Sequence, residues 1–520
     1  MTDRLFSTVS RGEAARRAGV PFAEWQPPRL SRRRFLAAGG VTALLVAAGC
    51  SDDSGPQVVP LGDEPPVLIV GAGLAGLTAA YRLTQAGHPV DLHEASERVG
   101  GRVRTVRDFS PGRTIESGGE FVNSNHDALR ALAKELGLAE VDTWPSYPDS
   151  ARETIVFDAE KYSYNDLLDD WWTISDTVAE QFAEVGSEIT ATNHTAAAAR
   201  LDQVSLAEWI DTEVPGGLGS QLGRFLAVTY EGEYGGSVDD LNSLTIIETM
   251  GPTATGGFDP LGDSDERFQI ADGSDSVATA LEEALPPDSV TLGSSLVALR
   301  SDGDRATATF DGPGGTVDVT AGQVVLALPF SILRGVDLEG AGLTRLKLRA
   351  IREQGMGTNA KLHLEHAERA WYDENLNGVS TSDTGLGVTW EESIAQDGDA
   401  GLLVAFTGGT AGASYPATTA HGEAPAEVRD AALEDEVTVF SRPVADAATG
   451  TAQLDSWVHD PFVGGSYAYW GVGQFTGFRG EEARHEPPFH FCGEHTSLEH
   501  QGYMNGAVET GDRAAAEILG

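Results

Sequence analysis

Residues 67–96 read VLIVGAGLAGLTAAYRLTQAGHPVDLHEAS, and this stretch decides the fold. The unbroken apolar run Val67–Val70 predicts a strand buried on both faces, as in a parallel sheet. The glycines of GAGLAG (residues 71–76) allow a tight turn, a close approach of the backbone to a pyrophosphate, and close packing of the following helix. A second strand, Val90–His93, ends at Glu94, about twenty residues after the glycines, where a carboxylate can accept a hydrogen bond from a ribose hydroxyl. The pattern predicts an α/β dinucleotide-binding unit.

The composition is that of an acidic globular protein. The 520 residues carry a formal net charge of −44, with 41% hydrophobic and 22% charged residues. Nucleic-acid binding requires a basic surface, so this charge argues against a nucleic-acid partner. It suits a cationic ligand through long-range steering, and it equally suits a surface that is acidic for solubility alone. The two cysteines, Cys50 and Cys492, are too few for a disulfide framework.

The N-terminal residues resemble an export signal. SRRRFL (Ser31–Leu36) resembles the twin-arginine motif, and the apolar run Ala37–Ala48 is too short for a bilayer span, which needs about 20 residues. AAGC (Ala47–Cys50) resembles a lipoprotein cleavage box, which implies that Cys50 is lipidated. We expect residues 1–63 to be signal and tether. The protein would then be exported by the twin-arginine machinery to the outer face of the cytoplasmic membrane, or be secreted or periplasmic. An unstructured N-terminus is the alternative.

Two segments after the glycine motif resemble the flavin-containing amine oxidase superfamily. ASERVGGRVRT (Ala95–Thr105) is similar to its second fingerprint, and ESGGEFVNSNHDALRALAKELGL (Glu116–Leu138) continues the similarity. The resemblance implies FAD as cofactor, with Arg102 neutralising the pyrophosphate. No second strand-linked glycine motif follows, since DGPGGTVD (residues 311–318) is predicted to form a hairpin. A separate NAD(P)H domain is therefore not expected.

Later segments resemble the same superfamily in the same order, so the resemblance covers residues 65–520. It implies that the backbone near Leu296 and Val297 clips the adenine, that Gly493 and Glu494 meet the ribityl chain, and that a helix N-terminus lies by the flavin pyrimidine. The residues implied to bind FAD are Gly71, Gly73, Leu74, Ala75, Gly76, Glu94, Ala95, Arg102, Gly118, Gly119, Glu120, Phe121, Leu296, Val297, Trp457, Gly493, Glu494, Gly502, Met504 and Ala507.

The resemblance also implies a catalytic set. Lys361 falls at the position of the family lysine that holds a water against flavin N5, and Tyr467 and Tyr503 would face each other over the flavin as an aromatic cage. These tyrosines and Phe121 are the residues implied to line the substrate site. Covalent members of the family carry a cysteine where this chain has Ser466, so FAD is expected to be non-covalent.

Two histidines follow Lys361 closely. His363 and His366 are three apart in a strand-like segment, so they face opposite sides, and they are interpreted as structural. We predict no metal site.

The resemblance implies a fold of two interleaved parts. A discontinuous Rossmann-like FAD-binding domain is expected over residues 64–140, 265–345 and 455–520, and an α+β substrate domain over residues 141–264 and 346–454. This is the architecture shared by amine oxidases and glutathione-reductase-like proteins. The Pro- and Gly-rich segment Tyr415–Glu427 is predicted to be a loop in the substrate domain.

The implied reaction is oxidation of an amine. Hydride passes from the α-carbon to flavin N5, the imine hydrolyses, and dioxygen reoxidises the flavin and yields hydrogen peroxide. The expected partners are a small amine or amino acid, dioxygen and the export machinery. Contact with a membrane is expected only through a lipid anchor. Whether the protein forms a homodimer is left open.

Four alternatives stay open. An L-amino-acid oxidase would need a cation for the carboxylate, and Phe121 stands where the snake-venom-type members have an arginine. A polyamine oxidase would use acidic residues; Glu120 is a candidate, but Asn123 occupies one acidic position of the family. An amine dehydrogenase with another electron acceptor and a non-catalytic FAD-binding lipoprotein are the remaining two. A copper–quinone amine oxidase is excluded because its Asn-Tyr-Asp/Glu precursor is missing.

Overall fold

The computed structural model of the protein describes residues 65–148, 151–416 and 420–520. The predicted signal and tether, with Cys50, lie outside the described residues and stay a prediction. None of the helices in the described ranges has both the length and the apolar character that a bilayer crossing requires.

The strands form two large sheets and several small ones. In chain order, the described residues contain β1 (Val67–Val70), β2 (Val90–His93), β3 (Thr105–Ser110), β4 (Arg113–Glu116), β5 (Glu140–Asp142), β6 (Arg152–Phe157), β7 (Glu160–Lys161), β8 (Phe268–Ile270), β9 (Val290–Thr291), β10 (Ser295–Ser301), β11 (Ala306–Asp311), β12 (Val317–Ala321), β13 (Val324–Leu326), β14 (Gly355–Met356), β15 (Ala360–His366), β16 (Leu376–Ser382), β17 (Val388–Glu391), β18 (Gly401–Thr407), β19 (His421–Glu423), β20 (Ala448–Ser456), β21 (Ala468–Tyr469) and β22 (Phe489–Phe491).

Helices connect and cover these sheets. The α-helices of the described residues are α1 (Leu74–Gln85), α2 (Asp127–Glu135), α3 (Tyr164–Trp171), α4 (Ser175–Val185), α5 (Ala196–Leu201), α6 (Leu206–Glu213), α7 (Gln221–Tyr234), α8 (Ser243–Met250), α9 (Asp275–Glu283), α10 (Phe330–Leu333), α11 (Arg345–Glu353), α12 (Gly409–Ala413), α13 (Ala426–Val439), α14 (Arg442–Asp446), α15 (Phe475–Phe478) and α16 (Met504–Leu519). Short 3-10 helices occur at Trp144–Ser146, Gly217–Gly219, Ala370–Glu374, Trp457–His459 and Glu494–Thr496.

Five parallel strands form the sheet that the glycine motif predicts. Their order is β22-β13-β1-β2-β9, and each pairing is parallel. The central strand β1 is buried along its whole length, because layers cover both faces of the sheet. Helix α1 packs closely against the C-terminal helix α16: a Cβ atom at Gly511 would lie 2.4 Å from the carbonyl oxygen of Ala75.

A mixed sheet of eight strands forms the second part of the molecule. Its order is β19-β20-β15-β18-β17-β16-β6-β7. Only the β16–β6 pairing is parallel in this sheet as described. Helix α7 packs against β16, β17 and β18, so its C-terminal end is held at a fixed place beside this sheet.

The predicted α/β fold class is confirmed, and so is the hairpin predicted around residues 311–318, where β11 and β12 pair antiparallel. All five strands of the parallel sheet come from the segments predicted for the FAD-binding domain. The strands of the mixed sheet come from the other two segments, except that β20 continues to Ser456. The precise domain boundaries stay a prediction.

The prediction of a loop over Tyr415–Glu427 is wrong in part. Residues His421–Glu423 form the edge strand β19, which pairs antiparallel with β20, and α13 begins at Ala426. The Pro and Gly content favoured a loop, whereas the neighbouring strand supplies hydrogen-bond partners that local composition does not reveal.

Candidate active site

The glycine motif borders a large cavity of about 960 Å³. Gly71 has a φ of +102°, a conformation that favours glycine. A Cβ atom at Gly73 would meet nothing within 4 Å, whereas one at Gly76 would lie 2.0 Å from the carbonyl oxygen of Gly71. Gly73 therefore leaves room for a ligand at the start of α1. Gly76 is the packing glycine and does not line the cavity.

Glu94 lies on the cavity wall at the end of β2, as predicted. Its carboxylate oxygens accept hydrogen bonds from the backbone N–H groups of Ala72 and Ser96, both at 2.8 Å. Glu94 thus fixes the glycine turn as well as presenting a carboxylate to the cavity. Ala95 lies beside it on the same wall.

Arg102 also lines the cavity, but its guanidinium has a protein partner. Its Nη1 lies 2.5 Å from Oε1 of Glu494 and donates to the carbonyl oxygen of Ser466 at 2.9 Å. A buried carboxylate thus already balances part of this charge, and the expected role of neutralising a pyrophosphate stays a prediction. A second arginine of the same loop, Arg98, donates to the carbonyl oxygens of Val99, Gly101 and Val103 and so braces the turn.

Gly118 and Gly119 bring backbone close to the cavity, as predicted. A Cβ atom at Gly118 would lie 1.9 Å from the carbonyl oxygen of Arg102, and one at Gly119 would lie 2.9 Å from Cγ of Met504. Trp457 stands on the same wall, and its Nε1 donates to the carbonyl oxygen of Ser117 at 2.8 Å. The ring of Trp457 is therefore held in one orientation.

The C-terminal segment also lines the large cavity. Gly493 has a φ of +128°, and Glu494 accepts hydrogen bonds from the backbone N–H of Ala468 at 3.2 Å and of Gly502 at 2.8 Å. Helix α16 begins at Met504 without a side-chain cap. Met504 and Ala507 both line the cavity.

Besides Gly76, three residues implied to bind FAD do not line the large cavity. Val297 sits at a bulge in β10 and its side chain is 41% exposed, so only its neighbour Leu296 lines the large cavity. Glu120 and Phe121 line a second, smaller cavity instead. The resemblance placed these residues by their order in the sequence. The bulge at Val297 and the burial of Glu120 depend on tertiary packing, which sequence order does not reveal.

The residues around the large cavity fit FAD. Two glycine-rich turns meet at Gly73 and Gly100, which form an isolated β-bridge, and the open space at Gly73 leaves the first turn of α1 accessible to a phosphate. Glu94 lies beside this turn, and the tyrosines and Lys361 lie on the same cavity wall. The volume suits an extended ligand of this size.

Lys361 lies where the large cavity meets a smaller cavity of about 350 Å³. Its Nζ donates to the carbonyl oxygens of Glu116 at 2.9 Å and Gly118 at 3.0 Å, and to Oε2 of Glu120 at 2.8 Å. An ammonium has three donors, so all three are used by the protein. The expected role of holding a water therefore requires the release of one of these bonds.

The Lys361–Glu120 pair is almost completely buried, with side-chain exposures of 8% and 2%. Burial raises the pKa of Glu120, and the charge of Lys361 opposes that shift. Burial alone would lower the pKa of Lys361, but Glu120 and Glu392 raise it above its usual value. Nε1 of Trp390 also donates to the carboxylate of Glu120, at 3.3 Å. Glu120 is thus a buried partner of Lys361 that also lines the smaller cavity, and its role as an acidic group for a polyamine stays a prediction.

The two tyrosines line both cavities, and their position over the flavin stays a prediction. Their hydroxyls are tied to consecutive residues of α7. Tyr467 donates to the carbonyl oxygen of Gly232 at 3.2 Å, and Tyr503 donates to Oε1 of Glu233 at 2.9 Å. The last turn of α7 therefore sets the position of both rings. Phe121 lines the smaller cavity, as expected for a substrate-lining residue.

The smaller cavity has an acidic lining. Glu120 is paired with Lys361. Glu248 is paired with Arg479, and Oε1 of Glu248 lies 2.8 Å from Nη1 of Arg479. The charged residues of the lining are Glu120, Glu233, Glu248, Glu266, Glu499, Lys361 and Arg479. Because the two cations are already paired with carboxylates, the cavity carries an excess of negative charge.

A buried chain of acids and imidazoles lies behind Lys361. His363 Nδ1 lies 2.7 Å from Oε2 of Glu392, and His363 Nε2 lies 3.2 Å from Oδ2 of Asp455. Asp455 also lies 2.8 Å from Nδ1 of His421, which lines the large cavity and packs edge-on against Trp457. His363 is therefore structural, as predicted.

His366 is buried on the other side of the strand, against Glu436 and Trp371. It too is structural, in agreement with the prediction that the two histidines face opposite sides.

Sequence reasoning missed Glu233 and His421. Both lie in segments without a recognised motif, and each reaches the site only through tertiary packing. One sequence signal was available for Glu233: a glycine two positions later predicts the end of a helix. Gly235 does end α7, in the left-handed conformation with a φ of +71°, so Glu233 lies in the last turn of that helix.

Comparison with known proteins agrees with this geometry. Residues 74–519 match the family model described as flavin containing amine oxidoreductase. An L-amino-acid oxidase of Siganus canaliculatus is 26% identical over 478 residues, which are 87% of this chain and 85% of the relative. A putative flavin-containing monoamine oxidase, AofH, of Mycobacterium tuberculosis is 28% identical over 470 residues, which are 87% of this chain and 96% of the relative. The structure of cyclohexylamine oxidase from Brevibacterium oxydans is similar with a TM-score of 0.74 at 21% identity, covering 87% of this chain and 98% of that one.

Proposed function

The chain belongs to the family of flavin-containing amine oxidoreductases and is an FAD-dependent oxidoreductase acting on amine donors, and we propose that its substrates are small amines without an α-carboxylate. The observation that carries this proposal is the acidic lining of the smaller cavity, which favours a cationic ligand and disfavours an anionic group.

FAD, when bound, supplies the hydride acceptor and passes the electrons on to dioxygen, with release of hydrogen peroxide. The chain would hold FAD with its two glycine-rich turns, Glu94 and the Glu494 region. Tyr467 and Tyr503, fixed by α7, would orient the amine with its α-carbon towards the flavin. Lys361 would keep a positive charge at the junction of the two cavities. The imine product would then hydrolyse to an aldehyde or ketone and ammonia or a smaller amine.

L-Amino acids are the competing substrate class. Their carboxylate requires a cation, and the arginine on the wall of the smaller cavity, Arg479, is already held by Glu248 through two contacts of 2.8 and 2.9 Å. A substrate carboxylate bound there would lie beside Glu248, whose negative charge Arg479 already balances. The lining therefore supports amines over amino acids.

A matched set of substrates tests this proposal. Purified protein containing FAD is assayed for peroxide release with phenethylamine against L-phenylalanine, tyramine against L-tyrosine, and cadaverine against L-lysine. Each pair differs only in the α-carboxylate. We expect a higher kcat/KM for the amine of at least one pair, by about 100-fold, the magnitude of a lost charged interaction. A consistent preference for the amino acids would contradict the proposal. Flavin reduction without peroxide would indicate another electron acceptor.

We expect FAD to be bound without a covalent link. Ser466 lines the large cavity, and its hydroxyl donates to Oδ1 of Asn359; it cannot form the thioether that a cysteine would. Precipitation with acid followed by filtration should leave the yellow colour in the filtrate. Colour that stays with the precipitated chain would contradict this expectation.

We also propose that the protein is exported through its twin-arginine signal and anchored by a lipid on Cys50. Support comes from the sequence alone, since these residues lie outside the described ranges. Changing Cys50→Ser should release the exported protein from membranes into the soluble fraction, whereas changing Arg32 and Arg33 to Lys should retain it in the cytoplasm. Fractionation of the wild-type protein entirely into the cytoplasm would contradict both expectations.

A further inference from the structure

Glu233 occupies a position between the substrate cavity and one of the flanking tyrosines. It lies in the last turn of α7, lines the smaller cavity and is half-buried. Its Oε1 accepts a hydrogen bond from the hydroxyl of Tyr503 at 2.9 Å. The carboxylate thus lines the same cavity as the two tyrosines, within hydrogen-bond distance of one of them.

Glu233 differs from Glu120 and Glu248 in that no salt bridge is found for it among the described residues. Glu120 has Lys361 and Glu248 has Arg479, whereas the hydrogen bond described for Glu233 comes from a neutral hydroxyl. A half-buried carboxylate without a counter-charge carries a desolvation cost, and a cationic substrate would relieve that cost.

The titratable groups described around Glu233 are tyrosines and carboxyl groups, apart from Arg479, which is paired with Glu248. Burial and then the charge of Glu266 raise the pKa of Glu233 to about 7, although the hydrogen bond from Tyr503 opposes the shift. Burial also raises the pKa of Tyr467 and Tyr503 well above the usual tyrosine value, so neither ionises near neutral pH. The groups facing Glu233 are Tyr234 on α7, Glu266 before β8, Tyr467 before β21 and Tyr503 before α16, with the Glu248–Arg479 pair on the wall of the same cavity.

An amine must lose a proton before it can be oxidised. With an alkylammonium pKa near that of lysine, about 10.4, fewer than about one amine molecule in a thousand is neutral at pH 7. The α-hydrogen can leave as hydride only when the nitrogen has a lone pair to form the C=N bond. A protein group that takes up the ammonium proton therefore removes a large barrier at neutral pH.

Resting on the proposed amine oxidation, we infer that Glu233 is a catalytic residue that accepts the proton of the bound substrate ammonium. The N–H bond breaks and an O–H bond forms on the carboxylate, so an ion pair becomes a neutral acid and a neutral amine. The amine lone pair would then be free to form the C=N bond when the α-hydrogen leaves with its electron pair, for which FAD, when bound, would supply the acceptor. The proton later passes from Glu233 to water. Burial, which disfavours the charged form of Glu233, favours the neutral pair over the ion pair.

The variant Glu233→Gln tests this inference, because an amide oxygen still accepts the hydrogen bond of Tyr503 but is not a base. The wild-type kcat/KM for an amine should rise with pH up to about 7, where Glu233 ionises, and then stay level. The variant should lose about 100-fold at pH 7, within the usual range for a positioned base. Its kcat/KM should then rise about tenfold per pH unit, with the fraction of neutral amine, and approach the wild-type value by about pH 9 to 10.

Glu231→Gln is the matched control. Glu231 lies on the same helix, is half-buried, accepts the backbone N–H of Val238 at 3.0 Å, and lines neither cavity. This variant should keep the wild-type pH profile. A second test variant, Tyr503→Phe, removes the hydroxyl that lowers the pKa of Glu233, so the acidic limb should move to higher pH.

The outcomes separate this inference from the proposed function. A wild-type profile in Glu233→Gln would overturn the inference and leave amine oxidation standing, and the acidic limb would then belong to another group, such as Glu120. An equal loss of kcat/KM at every pH would also overturn the inference. Glu233 would then act only by positioning Tyr503 or by binding the substrate ammonium, and not as a base. If the flavin-containing wild type oxidises none of the amines, the proposed function fails, and the inference fails with it.

Discussion

Replacing Lys361 by methionine is expected to slow amine turnover by about 100- to 1000-fold, the effect of losing one positioned electrostatic group in an active site. It is also expected to lower the free energy of unfolding by about 3–5 kcal/mol, because Glu120 would keep a buried charge without its partner. Methionine retains much of the length of the lysine side chain and removes the three hydrogen bonds to Glu116, Gly118 and Glu120. Stopped-flow reduction and reoxidation of the flavin, together with thermal unfolding, measure the two effects.

A double variant separates the two effects. Lys361→Met with Glu120→Gln no longer buries an unpaired charge, so it should recover much of the stability while the rate stays low. The exposed Lys134→Met on α2 is the matched control and should change neither quantity. If the double variant regains wild-type turnover, Lys361 has a structural role only. The proposal that its positive charge contributes to the reaction would then be wrong.

Stability is expected to fall between about pH 6.5 and pH 9, and the variant His363→Gln should lose this dependence. Burial alone would lower the pKa of His363, but Glu392 and Asp455 raise it to about 9. The usual value is about 6.5. A histidine with a raised pKa in the folded state stabilises fully below pH 6.5 and loses that contribution as the pH rises through 9. The shift corresponds to about 3 kcal/mol.

The measurement is the thermal unfolding temperature of the FAD-bound protein at pH 6, 7.5 and 9, for the wild type and two variants. Other titrating groups contribute equally to all three proteins, so the difference between wild type and His363→Gln isolates His363. His194→Gln changes an exposed histidine and serves as the control. An equal fall with pH in His363→Gln would show that the buried chain of Glu392, His363 and Asp455 does not carry the effect.

Local sequence patterns predicted the parts of the site that depend on neighbouring residues. The glycine turn after β1 and the position of Glu94 follow from motifs in which backbone conformation requires particular residue types within about twenty positions. The family resemblance extended this to Gly118, Gly493 and Met504, which do line the large cavity.

The parts that sequence could not predict depend on which distant side chains meet. Nothing local indicates that Arg102 pairs with Glu494, because 392 positions separate them. The bond between Tyr503 and Glu233 spans 270 positions. The resemblance implied that Lys361 holds a water. In the structure, the three N–H donors of its ammonium group bond to the carbonyl oxygens of Glu116 and Gly118 and to the carboxylate of Glu120.

The central claim is that a small amine reduces the bound flavin at the junction of the two cavities. The most direct measurement is anaerobic stopped-flow absorbance of the purified protein, mixed with phenethylamine or with L-phenylalanine at pH 8. We predict loss of the oxidised flavin band within seconds with the amine, much slower loss with the amino acid, and recovery of the band on mixing with air. A flavin band that stays unchanged with amines, or that is lost faster with the amino acid, would contradict the account.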